Sequence, residues 1–153
     1  MPSRRLRGFT VVELMACLAV AAILLKTAVP SLLDQVARAR LQGALNELSI
    51  DLHYARSQAV RERRAITVST TTSGNGYTLR NASATLKMVS LPVGVVLTPN
   101  LNIAFDALRG MADAATIEGG SSGTSASLRV TVNTLGRVQL CSPAASFVGY
   151  PEC

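Results

Sequence analysis

Glu13 is the only charged side chain between Gly8 and Lys26, and it stands in an otherwise apolar run that continues to Val29. A carboxylate at the centre of a membrane-spanning helix costs about 2.5–3.5 kcal/mol on insertion scales, so it usually has a function. The chemistry open to it is pairing with a cation. Opposite charges ~4 Å apart at an effective dielectric constant of about 20 attract by about 4 kcal/mol.

The apolar run predicts a membrane-spanning helix. From Phe9 to Val29 there are 21 residues, which is about one bilayer crossing for an α-helix. Arg4, Arg5 and Arg7 precede the run, and basic residues stay on the cytoplasmic side of a membrane helix. The remainder of the chain is therefore expected outside the cytoplasm.

Two other interpretations of the run stay open on these residues alone. One is a secretory signal peptide and the other is a plain membrane anchor. Residues 26–30, Lys-Thr-Ala-Val-Pro, do not offer the small-x-small pattern of a signal-peptide cleavage site. Neither interpretation gives Glu13 a function.

The charge of the chain does not by itself indicate a nucleic-acid partner. The formal net charge is +6, from 15 Lys and Arg against 9 Asp and Glu. Three of the cations lie in the first eight residues, so the rest carries 12 against 9, or +3. A small positive charge of this kind is ordinary for a soluble domain.

The remaining reactive residue types favour a disulfide and disfavour catalysis. Cys141 and Cys153 are expected to pair in an oxidising compartment, whereas Cys17 lies within the apolar run. His53 is the only histidine, and no histidine stands beside the two C-terminal cysteines to suggest a zinc site. We also find no phosphate-binding glycine motif or Ser/His/Asp set, and so expect no enzyme activity, cofactor or metal.

Beyond Pro30 the hydrophobic spacing is helical and predicts an amphipathic stem that ends near Arg64. The predicted core stripe is Leu41, Ala44, Leu45, Leu48, Leu52, Ala55 and Ala59. The charges expected mainly away from that stripe are Arg38, Arg40, Glu47, Asp51, Arg56 and Arg61.

From Ala65 the period changes to two, which predicts antiparallel strands. The predicted strands are 66–70, 77–80, 87–91, 93–97, 102–105, 128–132 and 137–141, with 115–117 pairing back on 102–105. Residues 106–112 are expected to turn, and the Gly/Ser-rich residues 119–125 to form a flexible loop. The fold class is therefore α+β, a long N-terminal helix packed on a C-terminal antiparallel β-sheet domain.

Gly8-Phe9-Thr10-Val11-Val12-Glu13-Leu14 resembles the processing motif of type IV prepilins. The resemblance implies a pilin-like fold and cleavage between Gly8 and Phe9 by prepilin peptidase, which also N-methylates Phe9. It further implies that Glu13 neutralises the N-terminal amine of a neighbouring subunit during assembly. Pro30 falls where many pilins have a helix-kinking proline.

The implied organisation has four parts. Residues 1–8 are a cleaved leader, residues 9–29 a transmembrane and filament-core helix, residues 30–64 the stem helix, and residues 65–153 a periplasmic domain with a C-terminal disulfide loop. The expected location is the bacterial inner membrane, and then a pilus or pseudopilus near its tip. The expected partners are prepilin peptidase, other pilins or pseudopilins, the inner-membrane assembly platform and membrane lipid.

The C-terminal half resembles the GspH/FimT branch of the pilin-like proteins. Phe105-Asp106 followed by Arg109-Gly110 is similar to the Phe-Asp-x-x-Gly region of that family, and residues 135–141, Leu-Gly-Arg-Val-Gln-Leu-Cys, to its C-terminal hairpin. We read Phe105 as a core aromatic and Asp106 as a turn residue. The resemblance implies a FimT-like minor pilin that supports pilus assembly, or else a GspH-like pseudopilin of type II secretion.

A DNA-binding minor pilin for natural transformation is a further alternative. Some FimT-like pilins carry a Gly-Arg-x-Arg motif in this hairpin, but here Gln139 replaces the second arginine. Arg137 is the arginine of that motif, and Arg129 and Arg109 are further candidate cations for a phosphate contact. One or two phosphate contacts give weak, salt-sensitive binding.

The resemblance predicts that processing depends on Gly8. We expect Gly8→Val to block maturation and to leave membrane insertion intact, because the apolar run is unchanged. Intact-mass measurement of the membrane form tests this, and a mature N-terminus other than Phe9 would contradict it.

Overall fold

The computed structural model describes residues 10–143 and 147–153, the side chains of residues 27 and 28 excepted. Helix α1 runs from Val11 to Glu62 and contains Pro30. The chain divides between Gln35 and Val36 into two compact units. Proline has no N–H group and removes one helical hydrogen bond. The bend expected at Pro30 stays a prediction.

The part of α1 in the second unit forms the centre of a hydrophobic core. All seven residues of the predicted stripe are buried, each at most 5% exposed. Full burial of one leucine side chain stabilises the fold by about 1.5–3 kcal/mol. The helical spacing therefore identified the buried face correctly.

The helix ends at Glu62, two residues before the predicted end. Arg63 has φ 52°, in the left-handed region, and the Arg64 N–H donates to the Ala59 carbonyl at 3.2 Å. This six-residue bond closes the last turn in the manner of a Schellman motif, in which glycine is the usual residue at the left-handed position. The arginine in that position explains why the sequence pattern did not mark the boundary.

The described residues after the helix form eight strands in two four-stranded antiparallel sheets. They are β1 Ile66–Thr70, β2 Gly76–Asn81, β3 Thr85–Ser90, β4 Val95–Leu97, β5 Asn102–Phe105, β6 Ala115–Ser121, β7 Thr124–Val132 and β8 Val138–Cys141. The strand orders are β3-β2-β1-β5 and β4-β6-β7-β8. Apolar residues of both sheets join the stripe of α1 in one hydrophobic cluster.

Two strand predictions were wrong. Residues 119–125 are not a flexible loop, because β6 extends to Ser121 and β7 begins at Thr124. Gly119 is buried with the side chain of Leu45 directly beside it, so its small size reflects close packing of β6 on the helix. Residues 115–117 pair with β7 in the second sheet and not with residues 102–105.

The C-terminal tail packs on α1. The predicted Cys141–Cys153 disulfide is present, with the two Cα atoms 4.9 Å apart. Phe147 is buried in the main core and makes an edge-to-face contact with Tyr150. The Tyr150 hydroxyl hydrogen-bonds with the side-chain amide of Asn46. The disulfide thus joins the end of β8 to the C-terminal residue, close in sequence to the packed Phe147 and Tyr150.

Asp51 corrects the expectation that the charges lie mainly away from the stripe. It follows Leu48 by three residues and is 6% exposed. The Tyr77 hydroxyl donates to its carboxylate at 2.7 Å, and the Lys87 ammonium donates to both carboxylate oxygens at 2.9 and 2.7 Å. Lys87 also donates to Glu47 at 3.2 Å. Each buried polar group in this network has a partner, as burial requires.

The network raises the pKa values of two of its members, Tyr77 and Lys87. Burial, and then the hydrogen bond to Asp51, raise the pKa of Tyr77 far above its ordinary value. The hydrogen bond to Asp51 also raises the pKa of Lys87. Both groups keep their protons in the folded protein at pH values where the unfolded chain loses them.

Stability is therefore expected to fall at alkaline pH. An unfolded tyrosine ionises at about pH 10 and an unfolded lysine at about 10.4. Above these values the unfolded chain binds fewer protons than the folded one, so the free energy of unfolding decreases as pH rises. Tyr77→Phe should lower stability by about 1–3 kcal/mol at pH 8, because Asp51 loses a buried donor, and should flatten the alkaline decline.

Denaturant unfolding of the detergent-solubilised chain between pH 8 and 11.5 measures both effects. Tyr54→Phe is the matched control at pH 8, since Tyr54 is 45% exposed and lies outside the Asp51 network. An alkaline decline as steep in Tyr77→Phe as in the wild type would contradict the assignment.

Candidate functional site

The first candidate site is the N-terminal part of α1. The Thr10 hydroxyl accepts a hydrogen bond from the Glu13 backbone N–H at 3.2 Å, and Glu13 is exposed in the first turn. Thr-x-x-Glu is the sequence of a capping box, so Glu13 suits the helix N-terminus as well as an assembly contact. Gly8 and Phe9 lie outside the described residues.

The same segment exposes a long apolar surface. Its large hydrophobic side chains from Val11 to Leu25 are each 56–76% exposed. Helix α1 contains an 18-residue stretch that is apolar enough to cross a membrane, and none of that stretch is buried within the described part of the chain. An exposed apolar surface of this extent marks a contact with lipid or protein.

The second candidate site begins with the turn at Asp106. Its carboxylate accepts the backbone N–H groups of Leu108 at 3.0 Å and Arg109 at 3.1 Å. These bonds hold the pKa of Asp106 below its usual value. Phe105 is fully buried. Both residues therefore have the structural roles that the sequence predicted.

The hairpin between β7 and β8 is built in the same way. The Asn133 side-chain oxygen accepts the backbone N–H groups of Leu135 at 3.1 Å and Arg137 at 2.8 Å. Gly136 has φ 70°, and its N–H donates to the Asn133 carbonyl at 2.8 Å. This left-handed position favours glycine.

The two turns meet at their glycines. A Cβ atom on Gly136 would collide with the carbonyl oxygen of Gly110. Arg56 Nε donates to that same carbonyl at 3.2 Å, which ties both turns to α1. Gly110 and Gly136 belong to two different sequence motifs but meet in one junction. Sequence reasoning missed the role of Arg56 in this junction.

The cations considered for DNA differ in their surroundings. Arg137 is exposed on the hairpin. Arg129 lies opposite Glu118 in the β6–β7 register and forms an ion pair with it at 3.3 Å. The two arginines therefore do not form a free pair of phosphate ligands, because the charge of Arg129 is already partnered.

The described part of the chain was predicted to hold neither a metal site nor a catalytic set. No group of three His, Cys, Asp or Glu side chains there could hold a metal ion. His53 is exposed on α1. The inward-facing Asp51 and Lys87 were also missed by sequence reasoning. A signal existed, since Asp51 stands at a stripe spacing and Lys87 alternates with Met88 along β3.

The fold is that of type IV pilin-like proteins. The minor pilin FimU of Pseudomonas aeruginosa superimposes with a TM-score of 0.60 and 25% identity, covering 72% of this chain and 97% of FimU. The minor pseudopilin EpsH of the Vibrio cholerae type 2 secretion system superimposes with a TM-score of 0.57 and 16% identity, covering 69% of this chain and 98% of EpsH. A comparison with curated protein sequences gave no match.

The family is shown by the sequence. The family model described as "Type II transport protein GspH" matches residues 44–136, which are 93 of the 153 residues. The chain belongs to this GspH/FimT-like family of minor pilins and pseudopilins. Members are structural subunits and not enzymes. The match covers α1 from Ala44 onward, the Asp106 turn and Gly136.

The glycine junction generates a stability prediction. Gly136→Ala combines a left-handed backbone with a collision, and we expect it to lower the free energy of unfolding by at least about 2 kcal/mol. Gly149→Ala is the control, because Gly149 has φ 92° and open space around its Cβ position. It should cost about 1–2 kcal/mol for the backbone alone.

Denaturant unfolding of both variants measures the difference. Equal losses would show that the contact between the two turns contributes nothing to stability.

Proposed function

We propose that the chain is a FimT-like minor pilin, a low-abundance subunit near the tip of a type IV pilus that supports pilus assembly. The main support is the apolar surface of α1 from Val11 to Leu25, which is exposed in the part of the chain that the structure describes. A soluble domain has no use for such a surface, whereas a subunit that moves from lipid into a filament of helices needs it.

The choice of a pilus over a secretion system rests on similarity. Identity with the type IV minor pilin FimU is 25%, against 16% with the pseudopilin EpsH. A GspH-like pseudopilin of type II secretion is the second candidate, and the match to the Type II transport protein GspH family favours it. Deletion of the gene separates them, since loss of surface pili supports the first and loss of exoprotein secretion the second.

We propose that residues 9–29 span the inner membrane, with residues 65–153 on the periplasmic side. The Cys141–Cys153 disulfide supports an oxidising location for the domain. Prepilin peptidase would then cut after Gly8 and methylate Phe9, and the inner-membrane platform would add the subunit to the filament. DNA uptake has less support, because Arg129 is paired with Glu118 and Arg137 stands beside Gln139.

The assembly role of Glu13 is tested by separating its charge from its capping position. Both Glu13→Gln and Glu13→Ala remove the charge, but glutamine can still act in a capping box. Pairing with a neighbouring N-terminus predicts that both variants insert into the membrane normally and that both enter sheared filaments poorly.

The readout is the ratio of filament-bound to membrane-bound chain by immunoblot. Normal incorporation of Glu13→Gln with loss of Glu13→Ala would assign Glu13 to helix capping alone. Normal incorporation of both variants would remove Glu13 from assembly.

A further inference from the structure

The Asp106 turn and the Asn133 hairpin present the same pair of side chains to solvent. Leu108 is 78% exposed and is followed by the exposed Arg109, and Leu135 is 63% exposed and is followed two residues later by the exposed Arg137. These four residues lie on two turns that meet at Gly110 and Gly136, and we call them together the Leu-Arg tip. Neither arginine forms a salt bridge within the described part of the chain.

The Leu-Arg tip is ordered before anything binds. In each turn one side-chain oxygen accepts two backbone N–H groups, from Asp106 in one and from Asn133 in the other. The contact of Gly110 with Gly136, and the Arg56 bond to the Gly110 carbonyl, join the two turns. A partner would therefore meet little loop-ordering cost.

The two leucines are exposed and so bury little apolar surface within the chain. Together with the two arginines they indicate which groups a partner must supply. The arginines suit carboxylates, and the leucines suit an apolar surface between them. A nucleic-acid backbone would satisfy the arginines but gives the leucines no apolar contact.

We propose that the Leu-Arg tip docks on an acidic, apolar surface of a different protein subunit. A second copy of this chain is a poor match, because 12 Lys and Arg stand against 9 Asp and Glu outside the first eight residues, a net charge of +3. The proposal rests on the proposed function in that another filament subunit is the partner. It adds the residues of contact and the charge of the partner surface.

Site-specific photo-crosslinking in cells with the full chain tests the proposal. The probe benzoylphenylalanine replaces Leu108 or Leu135, and Met88, which is 73% exposed on β3, carries the control probe. We expect an adduct to another protein from both leucine positions, mapped to a peptide with carboxylates beside apolar residues. Met88 should not give that adduct.

Charge reversal supplies the second arm. Arg109→Glu with Arg137→Glu should lower the adduct yield on the order of tenfold, and reversal of the carboxylates in the mapped peptide to arginine should restore it. Arg80→Glu, an exposed arginine on β2, is the matched control and should leave the yield unchanged.

Several results would overturn the proposal. These are no protein adduct from either leucine position, a nuclease-sensitive adduct in place of a protein, an adduct to a second copy, or a protein adduct indifferent to charge reversal. Filament incorporation of the wild-type chain is scored separately. Its absence would count against the proposed function, whereas the adducts in the membrane fraction still decide the Leu-Arg tip.

Discussion

The buried stripe of α1 is the constraint on which the globular unit depends. The eight strands form two separate sheets, and both contribute to the single hydrophobic cluster built around that stripe. Gly119 of β6 lies against Leu45 of α1. Tyr77 of β2 donates a hydrogen bond to Asp51, six residues further along the helix. Removing the helix would leave each sheet with an uncovered apolar face, which no small sheet tolerates in water.

Asp51 places a charge within this apolar surface and thereby sets how the first sheet sits on the helix. A buried ion pair adds little net stability, since desolvation offsets much of the attraction. The Asp51 network instead fixes the position of the sheet. A shift of β2 or β3 along α1 would leave the buried carboxylate without its partners Tyr77 and Lys87. Lys87 also places an inward-pointing charge on an edge strand, a feature that discourages pairing with foreign strands.

The chain thus divides its apolar surface between two uses. From Leu41 to Ala59 the helix covers its own sheets, whereas from Val11 to Leu25 its large apolar side chains are exposed. The junction of Gly110, Gly136 and Arg56 fixes the two turns that carry the exposed leucines and arginines. Asp106 and Gly136 could be mistaken for parts of a binding motif. They instead build the two turns that carry these exposed residues.

The sequence by itself determined the helix, its buried stripe, most of the strands and the disulfide. These follow from local periodicity and from the small number of cysteines, and the family motifs followed from short runs of residues. Contacts between distant segments were decided only by the tertiary structure. The glycines at 119 and 120 have a loop-like composition, yet β6 continues through them. One reason is that a strand lying close to a helix needs small residues, which composition alone cannot distinguish from a turn.

The dependence on contacts between distant segments also explains which residues of the candidate site could not be predicted. Glu13 could be singled out because the residues around it are apolar. Cys141 could be singled out because only one other cysteine lies outside the apolar run. The pairing of Asp51 with Lys87, of Arg129 with Glu118, and of Gly110 with Gly136 joins residues 11 to 36 positions apart. Such pairs depend on strand order and register, and these are set by how two sheets share one helix face, an arrangement that no single segment encodes.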